Sequence, residues 1–285
     1  MTRNPYDAGA DRFFSEYEGI PFEEAHAPFL AYLPAPPGGA SGAGPGGDDP
    51  PRRTPGAAVP SAHAAAGLVL DVGAGSGRDA AWFAARGHEV FAVEPATRLR
   101  DLASAHHTDP RIHWVDDRLP GLERIARAGT TFDVVWVSAV WMHVPPGERP
   151  RAFRKLANLL RPGGRLFLSL RHGGFDDGRS AWDVEAAEIL RLGREHGLLC
   201  IAHAGDVEDR RGRRAVSWEN LVLELPDDGS GAFPRLRNII LNDSRAATYK
   251  LGLLRALLRI ADGSAGRVTV DGNGDASVPL GLVAL

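Results

Sequence analysis

Cysteine is nearly absent from this chain: Cys200 stands alone among 285 residues, inside the apolar run "LLCIAHAG". A lone thiol excludes an internal disulfide and a cysteine-pair metal site, and its apolar setting predicts a buried structural thiol, not a nucleophile. Long apolar runs are missing too. No stretch approaches the roughly 20 apolar residues of a membrane span, and "MTRNPYDAGADRFF" has no basic segment followed by an apolar core. The sequence therefore predicts a cytoplasmic protein without a membrane partner. Nor does charge of one sign dominate, since 33 Lys and Arg against 36 Asp and Glu leave a net charge of -3. That balance excludes nucleic-acid binding by bulk charge and leaves only local basic patches. The 10 histidines are scattered, with no His-x-x-x-His spacing on a predicted helix, so no metal site is expected.

A hydrophobic fraction of 44% supplies a real core, and the length suits one α/β domain of about 150–200 residues plus something smaller. Residues 1–33 carry Phe13, Phe14, Tyr17, Phe22, Phe29, Leu30 and Leu33, which predicts a helical cap, ordered but peripheral. Residues 34–66, rich in Pro, Gly and Ala, have almost nothing large and apolar to bury and read as a flexible insert, with a lid as the alternative. From residue 67 to 225 strand and helix patterns alternate. Strands are predicted at Leu68–Val72, Glu89–Val93, Ile112–Val115, Phe132–Val137 and Arg165–Leu170, and helices at Arg78–Arg86, Thr97–His106, Leu122–Ala128, Glu148–Leu160 and Asp183–Glu195. Pro162, Gly163 and Gly164 should stop the fourth helix and turn the chain. Two further strands, "LLCIAHAGD" and "AVSWENLVLEL", flank the charged "VEDRRGRR" and read as an antiparallel hairpin at the sheet edge. Residues 226–234 read as a linker and 235–285 as a C-terminal helical module. Its helix from Ser244 to Ala261 places Tyr249, Leu253, Leu257 and Ile260 on one face, with Arg245, Lys250, Arg255 and Arg259 adding cationic character. The apolar end "VPLGLVAL" suggests a truncated or partner-dependent module.

Alternating strands and helices predict a parallel sheet covered on both faces, with its ligand at the carboxyl ends of the strands. The loop after the first strand reads Gly73-Ala74-Gly75-Ser76-Gly77-Arg78, which departs from the G-x-G-x-x-G dinucleotide spacing. Asp71, just before that loop, would repel a pyrophosphate and suits a cationic ligand such as S-adenosylmethionine, with its sulfonium and ammonium groups. Glu94, ending the second strand, is placed to accept hydrogen bonds from ribose hydroxyls.

On these residues the chain resembles the class I S-adenosylmethionine-dependent methyltransferases over about residues 67–225. "LVLDVGAGSG" is similar to the family's first motif, "VFAVEP" to its second, and "HWVDDRLP" to the segment whose acid meets the adenine amino group. "FDVVWVSAVWMHV" and "LANLLRPGGRLFLSL" are similar to the fourth-strand motif and the helix-turn-strand after it. The resemblance implies a Rossmann-like, doubly wound, seven-stranded, mostly parallel sheet with an antiparallel edge strand, here followed by the small helical extension. It implies cofactor contacts from Asp71, Gly73, Ala74, Gly75, Gly77, Glu94 and Pro95, from Asp116 or Asp117, and from Ser138 with Ala139 beside the sulfonium. Tyr6, Phe14 and Tyr17 resemble the family's aromatic cover, plain packing being the alternative.

Methyl transfer from a sulfonium is an in-line displacement, so alignment and exclusion of water carry most of the work. A base is needed only where the acceptor must lose a proton. His143, in "VWMHVPP", and Arg171–His172, in "LRHGG", lie at the right strand ends, and His143 and His172 are the candidate catalytic residues. Trp141 and Met142 are candidate apolar walls. The Pro-Pro-aromatic signature of base-flipping amino methylation is missing after the fourth strand, and no Pro-Cys nucleophile exists. A small-molecule acceptor is therefore expected. Two other readings stay open: a nucleic-acid or protein methyltransferase of a modification or defence system, targeted by the basic C-terminal helix, and a non-catalytic S-adenosylmethionine-binding protein. Acceptor atom and oligomeric state are not encoded in any motif.

Overall fold

The computed structural model describes residues 4–34, 67–175, 177–209, 213, 215–227, 269–270 and 276–277, in two units, Met1–Asp227 and Asp228–Leu285. In the first unit the strands β1 (Leu68–Val72), β2 (Glu89–Val93), β3 (Ile112–Val115), β4 (Phe132–Ser138), β5 (Leu160–His172), β6 (Leu199–Glu208) and β7 (Ser217–Glu224) form one sheet. Their order is β3-β2-β1-β4-β5-β7-β6. Pairings are parallel except those of β7, which runs antiparallel to β5 and β6, so the expected hairpin occupies one edge with its second strand inserted inward. The order reverses between β1 and β4, and that crevice is where a doubly wound sheet holds its ligand.

Helices α1 (Pro5–Ala8), α2 (Ala10–Glu18) and α3 (Phe22–Ala25) precede the sheet, and α4 (Arg78–Ala85), α5 (Thr97–His106), α6 (Glu123–Arg127), α7 (Arg149–Asn158) and α8 (Ala186–Glu195) are threaded between its strands. The strand period of two splits the core. Leu70, Val72, Val135 and Val137 face one layer with Ile125, Phe153, Leu156, Ile189 and Leu192 from α6, α7 and α8. Val69, Val134, Trp136 and Phe167 face the other, where Ala80 and Phe83 of α4 meet Phe22 and Phe29.

Three expectations need correction. The N-terminal segment is not peripheral: Phe13, Phe22 and Phe29 are buried, and Phe22 stacks on Trp82 with centroids 3.9 Å apart. Its aromatics fill the sheet face that α4, only eight residues long, leaves uncovered. Pro162-Gly163-Gly164 is not a connector. The helix ends at Asn158, and β5 begins at Leu160, paired with Phe132, before a register shift carries it past the glycines to Arg165. Cys200 is exposed, not buried, because it sits in the edge strand at a register shift between Cys200 and Ala202. The 34–66 insert (Pro34 apart) and the Ser244–Ala261 helix lie outside the described residues. In the second unit, Thr269–Val270 pairs antiparallel with Ala276–Ser277.

Candidate functional site

At the switch point lies a cavity of about 500 Å³, within the usual range of small-molecule sites. The β1–α4 loop forms one wall with Gly73, Ala74, Gly75 and Ser76, while Glu94 and Pro95 at the end of β2 form another. Gly75 holds φ +58°, and a β-carbon there would lie 3.2 Å from the Tyr17 ring, so the loop's tightness and the cap's approach both require glycine. The Glu94 carboxylate is buried and bridges the two walls, accepting from Gly75 N–H at 2.9 Å and Ala96 N–H at 2.8 Å. Burial pushes its pKa up to about 7 despite those two donors.

Asp71 lies beneath the loop and does not line the cavity. It is 2% exposed, its Oδ2 has no hydrogen-bond partner, and burial, with Asp79 nearby, holds its carboxyl well above the usual range. A buried, half-satisfied carboxyl under a glycine loop fits a cationic cofactor group. Gly77, at φ +86°, turns the chain into α4 from outside the lining.

Asp116 and Asp117 separate in space. Asp116 is exposed, 3.5 Å from Arg100 in an ion pair, and lies outside the lining. Asp117 lines the cavity, but its two oxygens accept from the amides of Arg118, Glu123, Arg124 and Ile125. Of the two, only Asp117 reaches the cavity, and its carboxylate serves as a cap for α6.

Ser138 and Ala139, at the end of β4, line both this cavity and a second one of about 160 Å³. Ala139 has φ +55°, an uncommon backbone state for a residue with a β-carbon, held by its N–H donating to Ser169 Oγ at 2.9 Å. Tyr6 and Tyr17 of the cap also border both cavities, so two of the three expected cover residues reach the site. Phe14 instead packs edge-on against His106.

His143 lines the larger cavity. Its Nδ1 lies 2.7 Å from the Ser180 carbonyl, which can only accept, so Nδ1 carries the proton. Nε2 is then free to accept from the Tyr6 hydroxyl at 2.7 Å. Burial, with Arg179 close by, pushes the His143 pKa down, which keeps this neutral tautomer. His172 is elsewhere: it borders neither cavity and bonds Glu219 at 3.1 Å. Trp141 is wholly buried in the core against Phe153, whereas Met142 lines the smaller cavity.

Sequence reading missed the tie between cap and sheet. Asp79 accepts from Arg78 Nε at 2.7 Å, His26 Nε2 at 2.8 Å and Trp136 Nε1 at 2.9 Å, and these partners hold its pKa well below the carboxylate range. Arg78 also donates to the carbonyls of Tyr17 and Ile20. It missed Arg179 as well, which borders both cavities and pairs with Asp177 at 2.8 Å. Among the described residues one group has metal-ligand spacing, Glu18 with His106 and His107; it borders neither cavity.

Residues 69–164 match the family model described as a methyltransferase domain, and residues 229–285 match one described as a domain of unknown function. An uncharacterised methyltransferase of Mycobacterium tuberculosis is 35% identical over 127 residues, 45% of this chain and 48% of that protein. A ubiquinone biosynthesis O-methyltransferase of Xanthomonas oryzae is 37% identical over 102 residues, 35% of this chain and 41% of that one. The chain thus spans about half or less of the curated relatives it matches. The 1,6-didemethyltoxoflavin-N1-methyltransferase of Burkholderia thailandensis superposes with a TM-score of 0.46 at 22% identity, over 57% of this chain and 72% of its own. Among the described residues, no helix is long and apolar enough to cross a membrane.

Proposed function

We propose, from the premise that residues 69–164 are a methyltransferase domain, that the chain transfers a methyl group from S-adenosylmethionine to a small-molecule acceptor. One observation carries this reading: a cavity bounded by the glycine loop and Glu94 meets a second, smaller cavity at Ser138 and Ala139. When bound, S-adenosylmethionine supplies a methyl group already activated on a sulfonium. Glu94 would accept hydrogen bonds from the ribose hydroxyls, the loop Gly73 to Ser76 would hold the amino-acid portion, and the buried Asp71 would favour its positive charge. Ser138 and Ala139 align the acceptor at the junction, and Tyr6 and Tyr17 exclude water from it. Where the acceptor must lose a proton, Tyr6 takes it and relays its own to His143 Nε2, which the Ser180 carbonyl keeps in the accepting tautomer. His172, paired with Glu219 outside both cavities, has no part in this scheme.

A volume of about 160 Å³ suits a small acceptor, since a cavity of about 150 Å³ holds a benzene ring. The test is calorimetric titration with S-adenosylmethionine and S-adenosylhomocysteine, alongside an Asp71→Ala, Glu94→Ala double variant. Binding by the native chain and not by the folded variant supports the reading and justifies an acceptor screen. A folded native chain that binds neither compound overturns it, and binding without turnover of any acceptor favours a non-catalytic role.

A further inference from the structure

The smaller cavity has a marked charge imbalance: Arg78, Arg171, Arg179 and Arg213 line it against a single carboxylate, Asp209. Most of these charges are internally matched. Arg78 pairs with Asp79 at 2.7 Å, Arg179 with Asp177 at 2.8 Å, and Arg213 with Asp209 at 2.7 Å. Asp209 also accepts from Trp218 Nε1. Arg171 is the exception: among the described residues it forms no ion pair, although it is only 6% exposed. Two of its N–H groups go to the carbonyls of Gly173 and Gly174, and its buried Nε–H has no acceptor at all.

A guanidinium stays charged at any working pH, so an unmatched one in the interior is costly unless something of opposite charge completes it. The Phe175 ring, 4.0 Å from Arg171 and 3.9 Å from Arg179, offers a partial counterpart but brings two cations to one ring. Arg171 is also held on a rigid element, paired with Trp218 in the β5–β7 ladder, where a recognition group keeps its aim. The remaining lining includes Ile20, Met142 and Trp218, apolar walls suited to a ring.

We infer that the acceptor is a single-ring molecule bearing a carboxylate, which Arg171 recognises through its unmatched guanidinium while the ring lies toward Ser138 and Ala139. This rests on the methyltransferase reading for its identification of the smaller cavity as the acceptor site. A bare loop-anchoring role for Arg171 would account for its bonds to the two glycines, but not for the unused Nε–H or for a buried guanidinium with no carboxylate of its own among the described residues.

The experiment titrates the full chain, saturated with S-adenosylhomocysteine, with the 2-, 3- and 4-hydroxybenzoates and the matching neutral hydroxybenzamides near neutral pH, where the acids are ionised. At least one acid should bind about tenfold or more tighter than its amide. Arg171→Met should erase that preference while leaving the S-adenosylhomocysteine affinity unchanged, and Arg171→Lys should retain part of it. Amides that bind as well as the acids, a series in which no acid binds, or a preference that survives in Arg171→Met each overturn the inference. If Arg171→Met does not fold, the native acid-to-amide ratio and the Lys variant decide. Failure of S-adenosylhomocysteine to bind the native chain is read separately: it defeats the methyltransferase reading, and the same titrations on the free protein then show whether an anion site stands alone.

Discussion

Three carboxyl groups at the carboxyl ends of β1 and β2 and the start of α4 are driven apart by their surroundings. Asp79, surrounded by Arg78, His26 and Trp136, stays charged, whereas Asp71 and Glu94 are pushed up. For Glu94, a folded pKa of about 7 against an ordinary 4.5 means that its stability contribution is complete below the ordinary value and lost as pH rises through about 7. In the proposed role the ribose hydroxyls would favour its charged form, so affinity for S-adenosylmethionine should drop on acidification below about pH 7, by up to roughly tenfold per unit. Calorimetry from about pH 5.5 to 8.5 checks this, and in two buffers of unlike ionisation enthalpy it should also reveal proton release on binding; a flat profile refutes the role. Asp71 obeys the same sign. Asp71→Asn should raise the melting temperature of the unliganded protein at about pH 8 but not at about pH 4, and should weaken cofactor binding, a trade of function against stability. Equal effects at both pH values would show that its charge is not what matters. Tyr6→Phe removes the hydroxyl that meets His143 Nε2. For an acceptor that loses a proton it should lower kcat by about 10²-fold or more with little change in cofactor affinity, and a parallel loss of both would reassign Tyr6 to packing.

At the scale of elements, the cap and α4 hold each other through one buried network. Asp79 joins Arg78, His26 and Trp136, and Arg78 reaches back to the ends of α2 and the following turn through the Tyr17 and Ile20 carbonyls. Removing one member leaves an unpaired buried charge, a loss of about 3–5 kcal/mol. Asp79→Ala should therefore lower the melting temperature by roughly 10 °C and weaken cofactor binding by releasing Tyr17 from Gly75. A variant that melts like the native chain would show that the aromatic contacts alone fix the cap. The same network explains what sequence reading reached and what it did not. The bounds of β1, β2, β3 and α5 follow from local periodicity and turn residues, and the places of the glycine loop and Glu94 follow with them, at the ends of the paired strands β1 and β2. The cap's integration does not, because Phe22 meets Trp82 and Trp136, both far from it along the chain, on one face of the folded sheet. Asp116 and Asp117 are adjacent letters with identical chemistry, and only the position of the α6 amides tells them apart. Arg179 gains its place from Asp177 and from a cavity assembled by the cap, α4 and the strands β4 to β7. Cys200 reads as buried because its sequence neighbours are apolar, yet it is exposed because its strand is an edge of the sheet.

For the whole molecule the division at Asp227 is the main organising fact. The described core of the first unit runs from Ala10 to Leu225, and every residue lining the two cavities, from Asn4 to Asn220, belongs to that unit. The second unit coincides with a family model of its own over residues 229–285. If the first unit carries its own stability and its own site, a chain shortened to residues 1–227 should unfold within about 2 °C of the full chain, a shift that corresponds to less than roughly 1 kcal/mol at this size. It should also bind S-adenosylmethionine with unchanged affinity and keep its acid-to-amide preference. Differential scanning calorimetry of both chains, with and without cofactor, makes the comparison. Two transitions in the full chain, one of them coincident with that of the shortened chain and the only one raised by cofactor, would establish independent units. A single transition shared by the full chain and lost from the shortened one would mean that residues 228–285 complete the fold, and loss of cofactor binding alone would mean that they complete the site.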